Sequence, residues 1–141
     1  MTQWGTPDMF SNLARVMVRT PTTVGKFVED GHWRMPDTVA LLEEHKSFTQ
    51  LLESLGCTVD VAGSIEDLVD AVYMHDPMIM TPHGAILLKM AKPVRSTEPG
   101  FFRKDLEKIG VPIPNNSNVL VISSNSQTIS HKFTYFCNQI S

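Results

Sequence analysis

The pattern of apolar and polar residues along the chain predicts two amphipathic helices. The first begins at Asp37, whose carboxylate can cap the free N–H groups of the first helical turn. Apolar residues then recur at three- and four-residue spacings as far as Leu55, and Gly56 suits the left-handed end of a helix. A second helix is predicted from Glu98 to Ile109, with Gly110 ending it. Both helices should pack one face against a sheet.

The remaining apolar runs predict strands and a hairpin. Strands are expected at residues 13–19, 57–61, 72–80 and 84–90. The first is apolar at successive positions, which predicts burial on both faces. Thr81-Pro82-His83-Gly84 is turn chemistry and should join the last two strands as a hairpin. The spacing of Ser64-Ile65-Glu66-Asp67 is that of a capping box and suggests a short helical turn.

The order of these elements predicts an α/β fold with mixed sheets. Residues 1–12 form an N-terminal arm, 13–113 the main domain and 114–141 a tail of predicted β structure, with strands near 119–123 and 128–136. Residues 20–36 are rich in proline and glycine, which predicts a long loop. Loops of this length within a domain are usually functional or mobile.

Composition limits the classes of partner. The 141 residues are enough for one domain, and 42% are apolar, which argues against disorder. The net charge is −3 without any block of Lys or Arg, so nucleic acid and anionic membranes are not expected as partners. No apolar run approaches the roughly 18 residues that span a bilayer. The two cysteines lack metal-ligand spacing, so neither a metal nor a cofactor is expected, and the protein is predicted to be cytoplasmic.

Three segments in order carry a resemblance to a known family. They are Asp70-Ala71-Val72-Tyr73-Met74-His75-Asp76, Gly84 to Lys89, and Lys92-Pro93-Val94-Arg95. Together they resemble the guanidino-group-modifying enzymes (the pentein superfamily), in particular the dimethylarginine dimethylaminohydrolase and amidinotransferase branch. The resemblance covers roughly Arg15 to Ile113. It implies a propeller of ββαβ modules around a central substrate site, of which this chain would hold about two to two and a half.

The resemblance also implies roles for particular residues. Asp70 and Asp76 would be carboxylates that face the substrate guanidinium and hold it by charge-assisted hydrogen bonds. Arg95 would lie at the substrate's carboxylate end or would anchor the site. His75 occupies a position where other branches have Glu; because an imidazole cannot replace an anionic clamp, this residue should change the substrate. A guanidino small molecule is therefore the expected ligand.

The catalytic machinery of the family is not expected in this chain. In the family a histidine transfers protons and a cysteine thiolate attacks the guanidinium carbon, and both lie downstream of the segments quoted above. After Ile113 the sequence no longer follows the family pattern, and the surroundings of Cys137 do not resemble the nucleophile segment. Cys57 opens an apolar strand and is interpreted as inert core.

The sequence therefore predicts a truncated homologue that acts as a non-catalytic binding or vestigial module for guanidino compounds, other cations or a protein partner. The alternative is a hydrolase or amidinotransferase completed by another subunit, and a purely structural role is a third hypothesis. Open strand edges in a partial propeller also predict a homo-oligomer, with a dimer as the simplest case.

Plainer interpretations of the same residues stay open. Asp70, His75 and Asp76 could cap a turn at a strand end or pair with a nearby Lys, and Arg95 could be a surface charge. A zinc site that includes His75, Asp76 and His83 is disfavoured, because eight strand residues at about 3.3 Å each separate the two histidines. His32 and Trp33 could form part of a lid, or Trp33 could be a packed anchor.

Overall fold

The computed structural model describes residues 10–113 and 120–121. Within them the chain forms two α-helices and five strands. In chain order these are β1 (Arg15–Arg19), α1 (Thr38–Ser54), β2 (Thr58–Ala62), β3 (Met78–Thr81), β4 (Gly84–Lys89), α2 (Glu98–Lys108) and β5 (Leu120–Val121). Two short 3-10 helices lie at Val69–Val72 and Pro93–Arg95. The fold is α/β.

The strands form two small sheets, neither of which closes on itself. β1 and β2 pair in parallel, with Arg15 opposite Thr58 and Arg19 opposite Ala62. β3 and β4 form an antiparallel hairpin, and β5 joins β4 in parallel. The predicted hairpin and the mixed sheets are confirmed. β5 confirms part of the strand predicted at 119–123, whereas the strand predicted at 128–136 lies outside the described residues.

α1 confirms the predicted helix and its ends. The Asp37 carboxylate accepts hydrogen bonds from the backbone N–H groups of Val39 and Ala40, as an N-cap should. Gly56 has a φ of 89°, the left-handed conformation that ends a helix at lowest cost. No α1 residue is fully buried, because a two-stranded sheet covers only part of the helix face.

Three local predictions were wrong. The segment predicted as a strand from Val72 begins as the 3-10 helix Val69–Val72, continues as a turn and becomes β3 only at Met78. Residues 64–67 hold no helical turn. β1 is not buried on both faces, since Arg19 is its one buried residue. The first and third predictions took an apolar run to be a fully covered strand. In the second, Asp67 has a φ of 62°, a left-handed conformation that a helical turn does not contain.

α2 packs against both sheets, and the hydrophobic core lies between the helix and the sheets. Phe102 is fully buried against Ala62 and Met74, while Leu106 is buried against Ala85 and Val111. Three partly buried side chains contact both groups: Met17, Met78 and Leu87. Because α2 is fixed by these contacts, its N-terminus holds Glu98 in a defined position.

The loop at residues 20–36 contains no helix or strand, as predicted, but it is anchored to the domain. Phe27 is buried, and its carbonyl accepts a hydrogen bond from the Trp33 backbone N–H at 2.9 Å. The Val24 carbonyl accepts another from Asp67 at 3.3 Å. These contacts hold Trp33 beside the 3-10 helix Val69–Val72.

Candidate functional site

Five charged residues from four places along the chain meet beside the N-terminus of α2. Asp70 lies on the first 3-10 helix, Asp76 in the turn before β3, Lys92 and Arg95 after β4, and Glu98 in the first turn of α2. We call these five residues the acidic cluster. The hairpin β3–β4 brings them together, because it returns the chain to the segment that precedes it.

Arg95 lies at the centre of the acidic cluster. Its Nε and Nη2 donate to the two carboxylate oxygens of Glu98 at 2.7 and 2.8 Å, a bidentate pair. Its Nη1 donates to Asp76 Oδ2 at 2.6 Å and its Nη2 to the Asp70 carbonyl oxygen at 3.3 Å. Burial lowers the pKa of Arg95. The hydrogen bonds and charges of Glu98 and Asp76 raise it by a larger amount, so the pKa lies above its ordinary value. This geometry favours the anchoring role of Arg95 over contact with a ligand.

Asp70 is buried and already satisfied. Its Oδ1 accepts from Trp33 Nε1 at 2.9 Å, and its Oδ2 accepts from Lys92 Nζ at 2.7 Å. Burial raises the pKa of Asp70, but the hydrogen bonds from Lys92 and Trp33 and the charges of Lys92 and Arg95 bring it below its ordinary value. Asp70 is therefore held as a carboxylate inside the domain.

Asp76 is the accessible carboxylate of the acidic cluster. Its side chain is 33% exposed, against 5% for Asp70 and 0% for Glu98. His75 Nε2 lies 2.9 Å from Asp76 Oδ1, and the His75 side chain is 83% exposed. The imidazole can therefore move aside without disturbing the core. A solute that reaches the acidic cluster meets Asp76 first.

Aromatic rings connect the two aspartates. Trp33 is stacked on Tyr73 with ring centroids 5.7 Å apart, and Tyr73 meets His75 edge to face at 6.5 Å. Trp33 is 41% exposed, but the stacking and the hydrogen bond from its indole N–H to Asp70 correspond to an anchor, the second of the two roles considered for it.

The acidic cluster carries a net charge of −1, since three carboxylates face two cations. Chemically, such a cluster can accept hydrogen bonds from a further cation at its exposed edge. A shallow pocket beside it is lined by Asp30 and Asp67 as well as by Asp70, Arg95 and Glu98. Among the described residues, no three His, Cys, Asp or Glu side chains converge as metal ligands. Neither described helix is long and apolar enough to cross a membrane.

The structure places all four predicted site residues together. Asp70, Asp76 and Arg95 share one hydrogen-bonded network, and His75 lies at its exposed edge. Sequence reasoning gave no role to Lys92 or Glu98. The spacing of Glu98 three residues after Arg95, at a helix start, is the one pattern from which that pair could have been predicted.

Comparison with known proteins identifies the fold. No protein-family model and no curated protein matches the sequence. A crystal structure of a dimethylarginine dimethylaminohydrolase adduct with 4-chloro-2-hydroxymethylpyridine is similar at a TM-score of 0.59 and 20% identity, over 81% of this chain and 42% of that chain. A cysteine-to-serine mutant of the Pseudomonas aeruginosa enzyme, complexed with citrulline, is similar at 0.58 and 18% identity, over 80% and 43%.

A third structure, a histidine-to-glycine mutant of dimethylarginine dimethylaminohydrolase as its adduct with S-methyl-L-thiocitrulline, matches at a TM-score of 0.59 and 19% identity, over 81% of this chain and 43% of that chain. This chain spans less than half the length of each of these structures. Identity near 20% establishes shared architecture rather than shared chemistry. The chain has the fold of part of dimethylarginine dimethylaminohydrolase, as the resemblance predicted.

Proposed function

We propose that this domain binds small guanidinium-bearing cations at the exposed edge of the acidic cluster and does not itself turn them over. One observation carries the proposal: the cluster has one negative charge more than its own cations neutralise, and Asp76 presents it to solvent. A guanidinium is planar and has several N–H donors, which suits a carboxylate edge. The fold likeness supports this choice of ligand class.

Absence of turnover is part of the proposal. Attack on a guanidinium carbon requires an activated nucleophile close to the bound cation. Cys57 is the cysteine within the described residues. It lies immediately before β2, whereas Asp70 and Asp76 come after the opposite end of that strand. The Cys57 thiol donates to the Leu13 carbonyl oxygen at 3.0 Å. Cys57 is therefore not available to the acidic cluster.

An alternative is a hydrolase or amidinotransferase whose remaining residues come from another chain. The observation that favours it is the span of the match, since the similar enzyme structures are more than twice as long as the matched region. In that case the described domain would contribute about two modules of a propeller. Release of citrulline or an amine from arginine, dimethylarginine or agmatine by the isolated 141-residue protein would favour catalysis by this chain alone.

The binding proposal predicts that Asp76→Asn weakens the affinity for arginine by tenfold or more. Loss of a charge-assisted hydrogen bond costs about 1.5–3 kcal/mol, and 1.4 kcal/mol corresponds to a factor of ten. Isothermal titration calorimetry at low salt measures the affinity. The matched control is Asp60→Asn, which removes a partly buried carboxylate, 20% exposed, that is paired with Arg15 away from the acidic cluster.

The Asp60→Asn protein should bind arginine as the wild type does. Equal affinities for wild type and Asp76→Asn would show that the carboxylate edge is not the site. Citrulline serves as a ligand control, because it has a similar shape but no positive charge, and it should bind weakly or not at all.

We also propose that the domain forms a homodimer through one flank of α1. Phe48, Leu51 and Leu55 are 50%, 55% and 71% exposed and lie at three- and four-residue spacings, so they form one apolar stripe. Apolar patches of more than a few hundred Å² usually mark association surfaces. The stripes of two copies would pack against each other about a two-fold axis.

Leu51→Glu is expected to convert the dimer to a monomer, because it places a charge in the middle of the stripe. Sedimentation velocity at micromolar concentration measures the mass. Gln50→Glu is the control, since it adds the same charge at the neighbouring exposed position of α1. A wild-type protein that sediments as a monomer at all concentrations would contradict the dimer.

A further inference from the structure

The Asp70 carboxylate is bound by two donors that differ in how firmly they are held. Trp33 is stacked on Tyr73, and its backbone N–H is bonded to the Phe27 carbonyl oxygen, so its indole is fixed in place. Lys92 has a side chain that is 48% exposed and reaches Asp70 with its terminal ammonium. Trp33 is itself 41% exposed, so the two donors do not differ in exposure. They differ because the Trp33 ring is stacked and its backbone is hydrogen-bonded, whereas the Lys92 ammonium lies at the end of a long, flexible side chain.

Removal of Lys92 would open one acceptor on Asp70. Oδ1 would stay on the Trp33 indole, and Oδ2, now 2.7 Å from Lys92 Nζ, would face solvent. Asp70 is 5% exposed and its partner Lys92 is 48% exposed, so we infer that departure of the ammonium would open Oδ2 to solvent. The structure thus already shows a cation bound at Asp70, supplied by the chain itself.

We propose that Lys92 is an intramolecular competitor that sets the affinity of the acidic cluster for cations. A cationic ligand contacts Asp76 directly but gains Asp70 only when Lys92 has moved away. The measured affinity is therefore the intrinsic affinity multiplied by the fraction of molecules in which Lys92 has left Asp70. This inference rests on the binding function proposed above and adds to it a residue that controls the same site.

The competing explanation is that Lys92 is a structural brace. A brace and a competitor predict opposite signs for the same substitution. If Lys92 braces Asp70, its removal loosens the acidic cluster and weakens ligand binding. If Lys92 competes, its removal strengthens ligand binding, by roughly two- to fivefold, since partly exposed ion pairs of this kind are modest in strength.

The experiment is calorimetric titration of agmatine into wild type, Lys92→Met, Asp70→Asn and the double variant, at pH 8 so that Asp70 stays ionised. Lys92→Met should bind agmatine about two to five times more tightly than wild type. In the Asp70→Asn background the same substitution should have no effect, because the competition at Asp70 no longer exists. Lys104→Met, which removes an exposed lysine from α2, should match wild type.

Unchanged or weaker binding by Lys92→Met would overturn the proposal, as would an equal gain in the Asp70→Asn background, which would indicate a general charge effect. If Asp70→Asn does not fold, the Trp33 indole N–H resonance replaces it as the reporter. It should shift on titration at lower agmatine concentration in Lys92→Met than in wild type, since Trp33 shares the carboxylate. Absence of agmatine binding by both folded proteins would instead refute the binding function itself.

Discussion

Arg95→Met is expected to lower the free energy of unfolding by about 3–5 kcal/mol, because it leaves a buried carboxylate without its partner. Glu98 is fully buried, and both of its carboxylate oxygens accept hydrogen bonds from Arg95. Methionine fills a similar volume but offers no donor. Urea denaturation followed by circular dichroism at pH 7.5 measures the change.

Two further variants separate this cause from a loss of packing. Arg103→Met removes an arginine of α2 whose partner, Glu107, is 57% exposed, and its effect should stay within about 1 kcal/mol. The double variant Arg95→Met with Glu98→Leu should recover much of the stability, because an apolar pair can replace a buried ion pair. A small loss for Arg95→Met alone would show that Glu98 is not held as a buried charge.

Phe102→Ala is expected to lower the free energy of unfolding by about 3–5 kcal/mol, the usual cost of truncating a buried phenylalanine. Phe102 is fully buried between Ala62 of β2 and Met74. Its ring also lies 4.5 Å from the guanidinium carbon of Arg19, so alanine would remove a cation–π contact and create a cavity.

Phe101→Ala is the matched control for this substitution. The two phenylalanines are neighbours on α2, but Phe101 is 40% exposed and points away from the core. Thermal unfolding should therefore show a large decrease for Phe102→Ala and a small one for Phe101→Ala. Similar decreases for the two variants would contradict the packing of the Phe102 face of α2 against the sheets.

Local sequence patterns predicted the helices and the hairpin correctly because their determinants are local. Asp37 and Gly56 define α1 by capping, and Pro82-His83-Gly84 allows the tight turn between β3 and β4. The prediction of a strand before β3 was wrong for a physical reason. The apolar residues of this segment suit a buried strand or a buried turn equally well, and Pro77, which is fully buried and lacks an N–H donor, argues against a continuous strand.

The candidate site was only partly predictable. The resemblance drew attention to Asp70, Asp76 and Arg95, but no local pattern shows that Arg95 is saturated by Glu98 and Asp76. The contact of Lys92 with Asp70 joins residues 22 positions apart, and it depends on the hairpin between them. Contacts of this kind arise from the tertiary fold and therefore cannot be predicted from the spacing of residues in the sequence.

The most direct test is a map of amide and indole chemical shifts of the 141-residue protein during titration with arginine and, separately, with citrulline. Binding at the acidic cluster predicts that arginine shifts the signals of His75, Asp76 and the Trp33 indole, while α1 stays unchanged. Citrulline should leave all of them unchanged, since it carries no guanidinium charge. Equal shifts with both ligands, or arginine shifts confined to other surfaces, would contradict a guanidinium site at Asp76.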